Sequence, residues 1–251
     1  MRNLVKLIIL ALCLAYASAG AEVLYDKYKD TDKMTIVITG KILKSDIGKF
    51  EKALRDLKTT KKKLHMNAVQ LNSLGGQGYS AQEIGWKIRN SKLNTYLAST
   101  SHCDSACLYL LASGVTRMAY GEVTVHRATN DSKTGSDALI REEIETADFA
   151  SELFLKEMGM GSLLIDAAIN TPFWTFRILT DVEKRRWSLN GMDRISEELL
   201  FRSYARKLKI SKQEFASKYV EHYDQCNGKA KNFEMLVIDC IASELSRDGT
   251  N

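Results

Sequence analysis

Between residues 34 and 125 the chain switches repeatedly between two hydrophobic periodicities, and that alternation restricts the fold more than any other feature. Met34-Thr35-Ile36-Val37-Ile38-Thr39 is rich in β-branched residues and stopped by Gly40, which predicts a strand. Ile47, Phe50, Leu54 and Leu57 then recur at helical spacing. Ala68-Val69-Gln70-Leu71 predicts a second strand, ending at the pair Gly75-Gly76, and Ser80-Ala81-Gln82-Glu83 fits a capping box that opens a helix carrying Ile84 and Ile88. Thr95-Tyr96-Leu97-Ala98 follows as a third strand. Residues 106–113 then form a short buried helix closed by Gly114, and two short strands lie near residues 117–120 and 123–125. Such an order predicts an α/β fold, its mostly parallel sheet covered by helices on both faces.

From Gly135 onward the pattern is helical. Ile140, Ile144, Ala147 and Phe154 mark one long helix, and residues 162–169 a second. Pro172 separates it from a capping box at Thr180-Asp181-Val182-Glu183, and a further helix starts at Ser211-Lys212-Gln213-Glu214 with Phe215 and Tyr219. Residues 233–245 give the last. The pattern divides the chain into a leader over residues 1–19, an α/β domain over 20–195 and a helical C-terminal extension over 196–251.

The leader carries Arg2 and Lys6, an apolar run over residues 7–14 and the small-residue site Ala17-Ser18-Ala19, the pattern of a secretory signal peptide. No later stretch has the length and apolarity of a membrane span, so a soluble, exported chain, periplasmic or secreted, is expected. Without Arg2 and Lys6 the mature chain holds 34 basic against 31 acidic residues, too even a balance to point to nucleic acid. Four cysteines remain after Cys13 is removed: Cys103, Cys107, Cys226 and Cys240. Export favours disulfides. Cys226 and Cys240 flank the Asn227-Gly228 turn, where a disulfide is favoured; Cys103 and Cys107 read equally as a bridge or as two buried thiols. The spacings do not build a paired metal site, and no cofactor is called for.

Three segments carry the chemistry. Gly75-Gly76 ends a strand, and without a Cβ its backbone can approach a ligand closely. Ser105 stands where a strand turns into a helix; a serine there is either an N-cap or a nucleophile, and the two differ in whether a base lies within reach. His126 ends a strand and is the best placed of the four histidines to be that base.

Leu71-Asn72-Ser73-Leu74-Gly75-Gly76, the segment from Ser105 to Gly114 and Val125-His126 together resemble the glycine loop, nucleophile helix and histidine segment of the Clp protease proteolytic subunit and its crotonase-like relatives. The match is nearer to an exported, periplasmic bacterial branch with a C-x-S-A-C motif, here Cys103-Asp104-Ser105-Ala106-Cys107. The resemblance implies a repeated β-β-α spiral. It also implies Ser105 as nucleophile, His126 as general base and an oxyanion hole from the backbone N–H groups of Gly75 and Ala106, supported by Gly76. The third triad position should fall near Asn170-Thr171-Pro172, which holds no carboxylate; Asn170, Asp166 and Asp181 are the candidates. The implied function is an exported serine hydrolase, a peptidase acting on peptides or proteins, with homo-oligomers as the family's habit. The alternative is a non-catalytic member that binds a peptide or partner protein in the same cleft. Acyl-CoA chemistry, the crotonase activity, fits an exported chain poorly because that cofactor is cytosolic.

If the leader is cleaved as its pattern predicts, intact-mass analysis of the exported protein will find a mature N-terminus at Gly20 or within two residues of it; a retained Met1 would contradict the reading.

Overall fold

The computed structural model describes residues 22–27, 33–59, 63–128, 136–192, 194–230 and 234–248. The signal peptide expected over residues 1–19 lies outside them.

Strands β1 (Glu22–Lys27), β2 (Lys33–Thr39), β3 (Lys63–Asn72), β4 (Asn94–Leu97), β6 (Thr116–Ala119) and β9 (Asn190–Met192) lie side by side in that order in one sheet. The four central strands, β2, β3, β4 and β6, run parallel, and β1 and β9 flank them antiparallel. A second sheet holds β5 (His102–Asp104), β7 (Glu122–Val125) and β8 (Arg177–Ile178), with β5 and β7 parallel. Helices α1 (Ser45–Thr59), α2 (Gly78–Asn90), α3 (Cys107–Ala112), α4 (Asp137–Glu157), α5 (Ser162–Asn170) and α6 (Asp181–Arg186) complete this part of the chain.

The two sheets reveal a repeat. After β4 the chain steps into the second sheet as β5 and then enters α3; after β6 it steps over as β7 and later enters α4. The two earlier turns do the same in reduced form: Ile42, between β2 and α1, bridges Gly76, and Ser73, between β3 and α2, bridges Cys103. This is the α/β fold with a mostly parallel sheet that the alternation predicts, wound as the β-β-α spiral that the resemblance implies. Its consequence is that these four crossings lie side by side, so segments far apart in sequence meet there.

The periodic residues supply the core. Ile36, Ile38, Val69, Leu71 and Leu97 on the strands and Phe50, Ile84, Ile88, Leu110 and Leu111 on the helices are fully buried in one cluster. Arg117 on β6 is buried among them. Its guanidinium donates to the carbonyl oxygens of Ala112 (2.8 Å), Ser188 (2.9 Å) and Met158 (2.6 Å), so three chain segments are satisfied by one side chain. The C-terminal helices α7 (Arg194–Leu208), α8 (Lys212–Ala230) and α9 (Glu234–Asp248) bury a second cluster around Phe201, Phe215, Val237, Ile238 and Ile241, which Met192 of β9 joins.

Local signals held in part. Thr180 and Glu183 form the capping box at α6, and Ser211 caps α8 through the Glu214 N–H. At α2, however, the helix begins at Gly78, and Ser80 lies inside its first turn with its hydroxyl on Gln77 Oε1. The reason is tertiary: the Gln77 N–H is fixed by Ile42 O at 3.0 Å, which sets the chain direction three residues before the serine.

Cys226 and Cys240 lie at bonding distance across α8 and α9, with their Cα atoms 5.7 Å apart. Replacing both by alanine is expected to lower stability by about 3 kcal/mol, read by chemical denaturation of the oxidised protein.

Candidate active site

The turn bearing Ser105 is held on two sides. From one side β3 reaches it through Ser73, whose N–H donates to His102 O and whose O accepts the Asp104 N–H, both at 2.9 Å. From the other, β7 reaches it because the Ser105 N–H donates to Thr124 O at 3.2 Å and Thr124 Oγ1 donates to Asp104 Oδ1 at 2.7 Å. The parallel register sets Asp104 opposite Thr124. Continued by one or two residues, it carries the serine turn alongside Val125 and His126.

Ser105 has φ +53°, in the left-handed region, which costs a residue with a Cβ about 1–2 kcal/mol. Among the described residues it is the only non-glycine in that region that lines the cleft described next. Its side chain caps nothing: α3 has Ala106 in the cap position and no side-chain cap bond. The N-cap alternative is therefore not what this serine does.

Ser105, Ala106, Gly76 and His126 line one cleft of about 340 Å³, walled by residues of α2, α3, α4 and α5. Apolar lining comes from Leu108, Val125, Ala147, Ala150, Ile165 and Ile169. At its side the Tyr109 hydroxyl meets Ser151 Oγ at 2.6 Å, and burial pushes the phenol's pKa up, so it stays a neutral hydrogen-bonding group.

The glycine loop shares out its donors in a way sequence alone does not reveal. Ser73 Oγ donates to Gly40 O at 2.6 Å and accepts the Gly75 N–H at 3.2 Å, so the N–H expected to face an oxyanion is already engaged. Gly76 pairs with Ile42 through its neighbours, Gly75 O accepting from Ile42 N–H at 2.7 Å and Gln77 N–H donating to Ile42 O. In a parallel bridge of this kind the central residue's own N–H and C=O point to the other edge. Among the described residues, the N–H groups of Gly76 and Ala106 meet no protein acceptor. Gly75 instead supplies clearance: a Cβ there would sit 2.5 Å from Asp104 O and 3.0 Å from Ala106 N.

His126 is oriented by main chain. Its Nδ1 lies 2.9 Å from Arg127 O, and a carbonyl only accepts, so in the neutral ring Nδ1 carries the proton and Nε2 the lone pair. The histidine segment is itself pinned: Val125 pairs with Arg177, the Arg127 N–H donates to Thr171 O at 2.7 Å, and the Arg127 guanidinium bonds Asp148 on α4 (Nε to Oδ2, 2.7 Å). Phe176 places its ring edge-on to the imidazole at 5.0 Å.

The three candidates for a third triad member do not come together with these groups. Asp166 and Asn170 are exposed, and neither lines the cleft. Asp181, its side chain 73% exposed, pairs with Lys184 Nζ at 2.7 Å on α6. Two carboxylates that sequence reasoning missed do line the cleft, Glu152, which pairs with Lys156, and the more buried Asp148. The Asp148 signal is a polar stripe, Asp148 and Ser151, on the inward face of a helix that otherwise buries Phe154 and Leu155.

No family model matches this chain. A comparison with curated protein sequences likewise finds no match. Among solved structures 346 chains match, one of them a mutant ClpP1 from Listeria monocytogenes, 15% identical, with 64% of this chain and 93% of that one covered and a TM-score of 0.47.

Gly75→Ala is expected to lower stability by about 2–4 kcal/mol, because the new Cβ meets backbone and φ +83° disfavours any side chain. Thermal or denaturant melting of the variant checks this.

Proposed function

We propose that this chain is a serine hydrolase, a peptidase that works after export, with Ser105 as nucleophile and His126 as general base. The observation that carries the reading is the state of Ser105: left-handed, uncapped and lining the same cleft as an imidazole whose Nδ1 is committed to a carbonyl. Four other described non-glycine residues share the left-handed region, Ser188 among them, but none of them lines the cleft, and strain retained at a cleft is a recurrent property of reactive residues.

The chemistry follows from the donors and acceptors. Nε2 of His126 takes the Ser105 proton as Oγ attacks a carbonyl carbon of the substrate. The negative charge then grows on the carbonyl oxygen. The N–H groups of Gly76 and Ala106 are the donors free to receive it, so we assign the oxyanion hole to Gly76 and Ala106, with Gly75 as the clearance that lets the loop approach. His126 next gives its proton to the leaving amine, and water releases the acyl group by the same route. Arg127 O enforces the tautomer an acid would otherwise enforce, but brings no full negative charge to stabilise the imidazolium. Turnover slower than that of a full triad is the consequence.

Both cysteine pairs at bonding distance support an oxidising compartment. Among the described residues no helix is long and apolar enough to cross a membrane. A peptide or unfolded protein segment is the substrate class we assign.

The test is labelling of the purified mature protein by a fluorophosphonate probe. Ser105→Ala is expected to abolish labelling, and His126→Asn to slow it about 10²–10⁴-fold. Asp166→Asn, Asn170→Ala and Asp181→Asn are expected to leave it unchanged. A folded wild-type protein that the probe never labels would instead favour a peptide-binding cleft without catalysis.

A further inference from the structure

We propose that Cys103 and Cys107 are positioning residues, their disulfide acting as a staple that holds Ser105 in its left-handed conformation. Cys103 is the middle residue of β5 and pairs with Val123, and Cys107 is the first residue of α3. Their Cα atoms are 5.1 Å apart. Four residue steps of regular strand would separate them by about 13 Å, so the chain must double back within the three residues between.

Those three residues are not equally free to do so. Asp104 is held in strand pairing by Thr124 and by Ser73 O, and Ala106 already has helical backbone at φ −58°, ψ −17°. The reversal therefore falls on Ser105, the residue with φ +53°. The hydrogen bonds to Ser73 and Thr124 act on Asp104 and on the Ser105 N–H, upstream of the Ser105 side chain. Downstream, where α3 begins, the Leu108 N–H donates to Ser105 O at 3.0 Å, and the sulfur link to Cys107 is the covalent tie that brings this end back to β5.

Burial separates a staple from a redox switch. Both cysteines are fully buried, so no external thiolate reaches the sulfurs while the turn is intact. The bridge is built to stay closed, and its role is geometric.

The test has two arms, and only the second rests on the hydrolase reading. In the first, Ser105→Gly relieves the left-handed penalty and is expected to raise the melting temperature of the bridged protein by about 1–4 °C. In a Cys103→Ala, Cys107→Ala background with Cys226–Cys240 intact, Ser105 is free to relax, and the same glycine is expected to give no gain. An equal gain in both backgrounds would overturn the proposal, because something other than the bridge would then be imposing the conformation. The serine pair Cys103→Ser, Cys107→Ser makes the same comparison where the alanine pair does not fold. A lower melting temperature for Ser105→Gly in the bridged protein overturns the proposal by itself.

In the second arm, at a temperature where both proteins are folded, loss of the bridge is expected to slow fluorophosphonate labelling of Ser105 about tenfold to a hundredfold. Equal labelling rates for folded bridged and unbridged protein would also overturn the staple. No labelling of the bridged protein counts against the hydrolase reading alone and leaves the melting comparison intact.

Discussion

The approach of the Gly75-Gly76 backbone to two other segments is the constraint on which the rest of the site depends. An added Cβ at Gly76 would lie 2.3 Å from Ile42 O, and one at Gly75 would lie 2.5 Å from Asp104 O. Both positions also have φ in a region that L side chains avoid. Only a chain bare at two consecutive positions can thread between the crossing after β2 and the serine turn after β5. Ser73 makes the threading stable, because its hydroxyl joins Gly40 O to the Gly75 N–H and its backbone pairs with β5. Of the first motif, then, the serine is a clamp and the glycines are clearance, while one N–H remains unspent at the cleft.

The spiral explains why three segments so far apart in sequence converge. The four crossings lie side by side, and neighbouring crossings are registered by backbone hydrogen bonds. Ser73 is matched with Cys103, and Asp104 with Thr124. The register fixes main-chain positions to well within one residue, since a slip would exchange inward and outward faces of every strand. Core packing holds the layers at their spacing, and the Arg117 guanidinium links the ends of α3 and α4 to the Ser188 segment from inside. The site is thus a product of sheet registration more than of loop conformation.

How much of this was legible beforehand follows the physics. Strands such as residues 34–39 and helices carrying Phe50 or Ile84 declare themselves by periodicity, because burial on one face is a local property of sequence. The edge strands β1 and β9 do not. Their pairing partners are chosen by tertiary position, and Asn190-Gly191-Met192 carries no strand signal. The three motif segments were readable as residues, and their meeting in one cleft agrees with the order in which they occur. The donor assignment within the glycine loop was not readable, since it depends on which side of Gly76 faces Ile42. Nor was the partner of His126: a search for a third triad side chain leads to Asp166, Asn170 or Asp181, whereas the atom that meets Nδ1 belongs to the next residue's backbone.

That last feature has a bearing on how the chain tolerates change. An imidazole steered by a side chain depends on a gene position that substitution can erase. Here the steering oxygen belongs to the peptide group itself, and every residue type at position 127 supplies the same atom. What the side chain at 127 governs is where that peptide lies, through its ion pair with Asp148 on the neighbouring helix. The orienting function is therefore spread over a salt link, a strand end and the Thr171 carbonyl. Genetic drift can weaken it by degrees, with no single codon able to remove it.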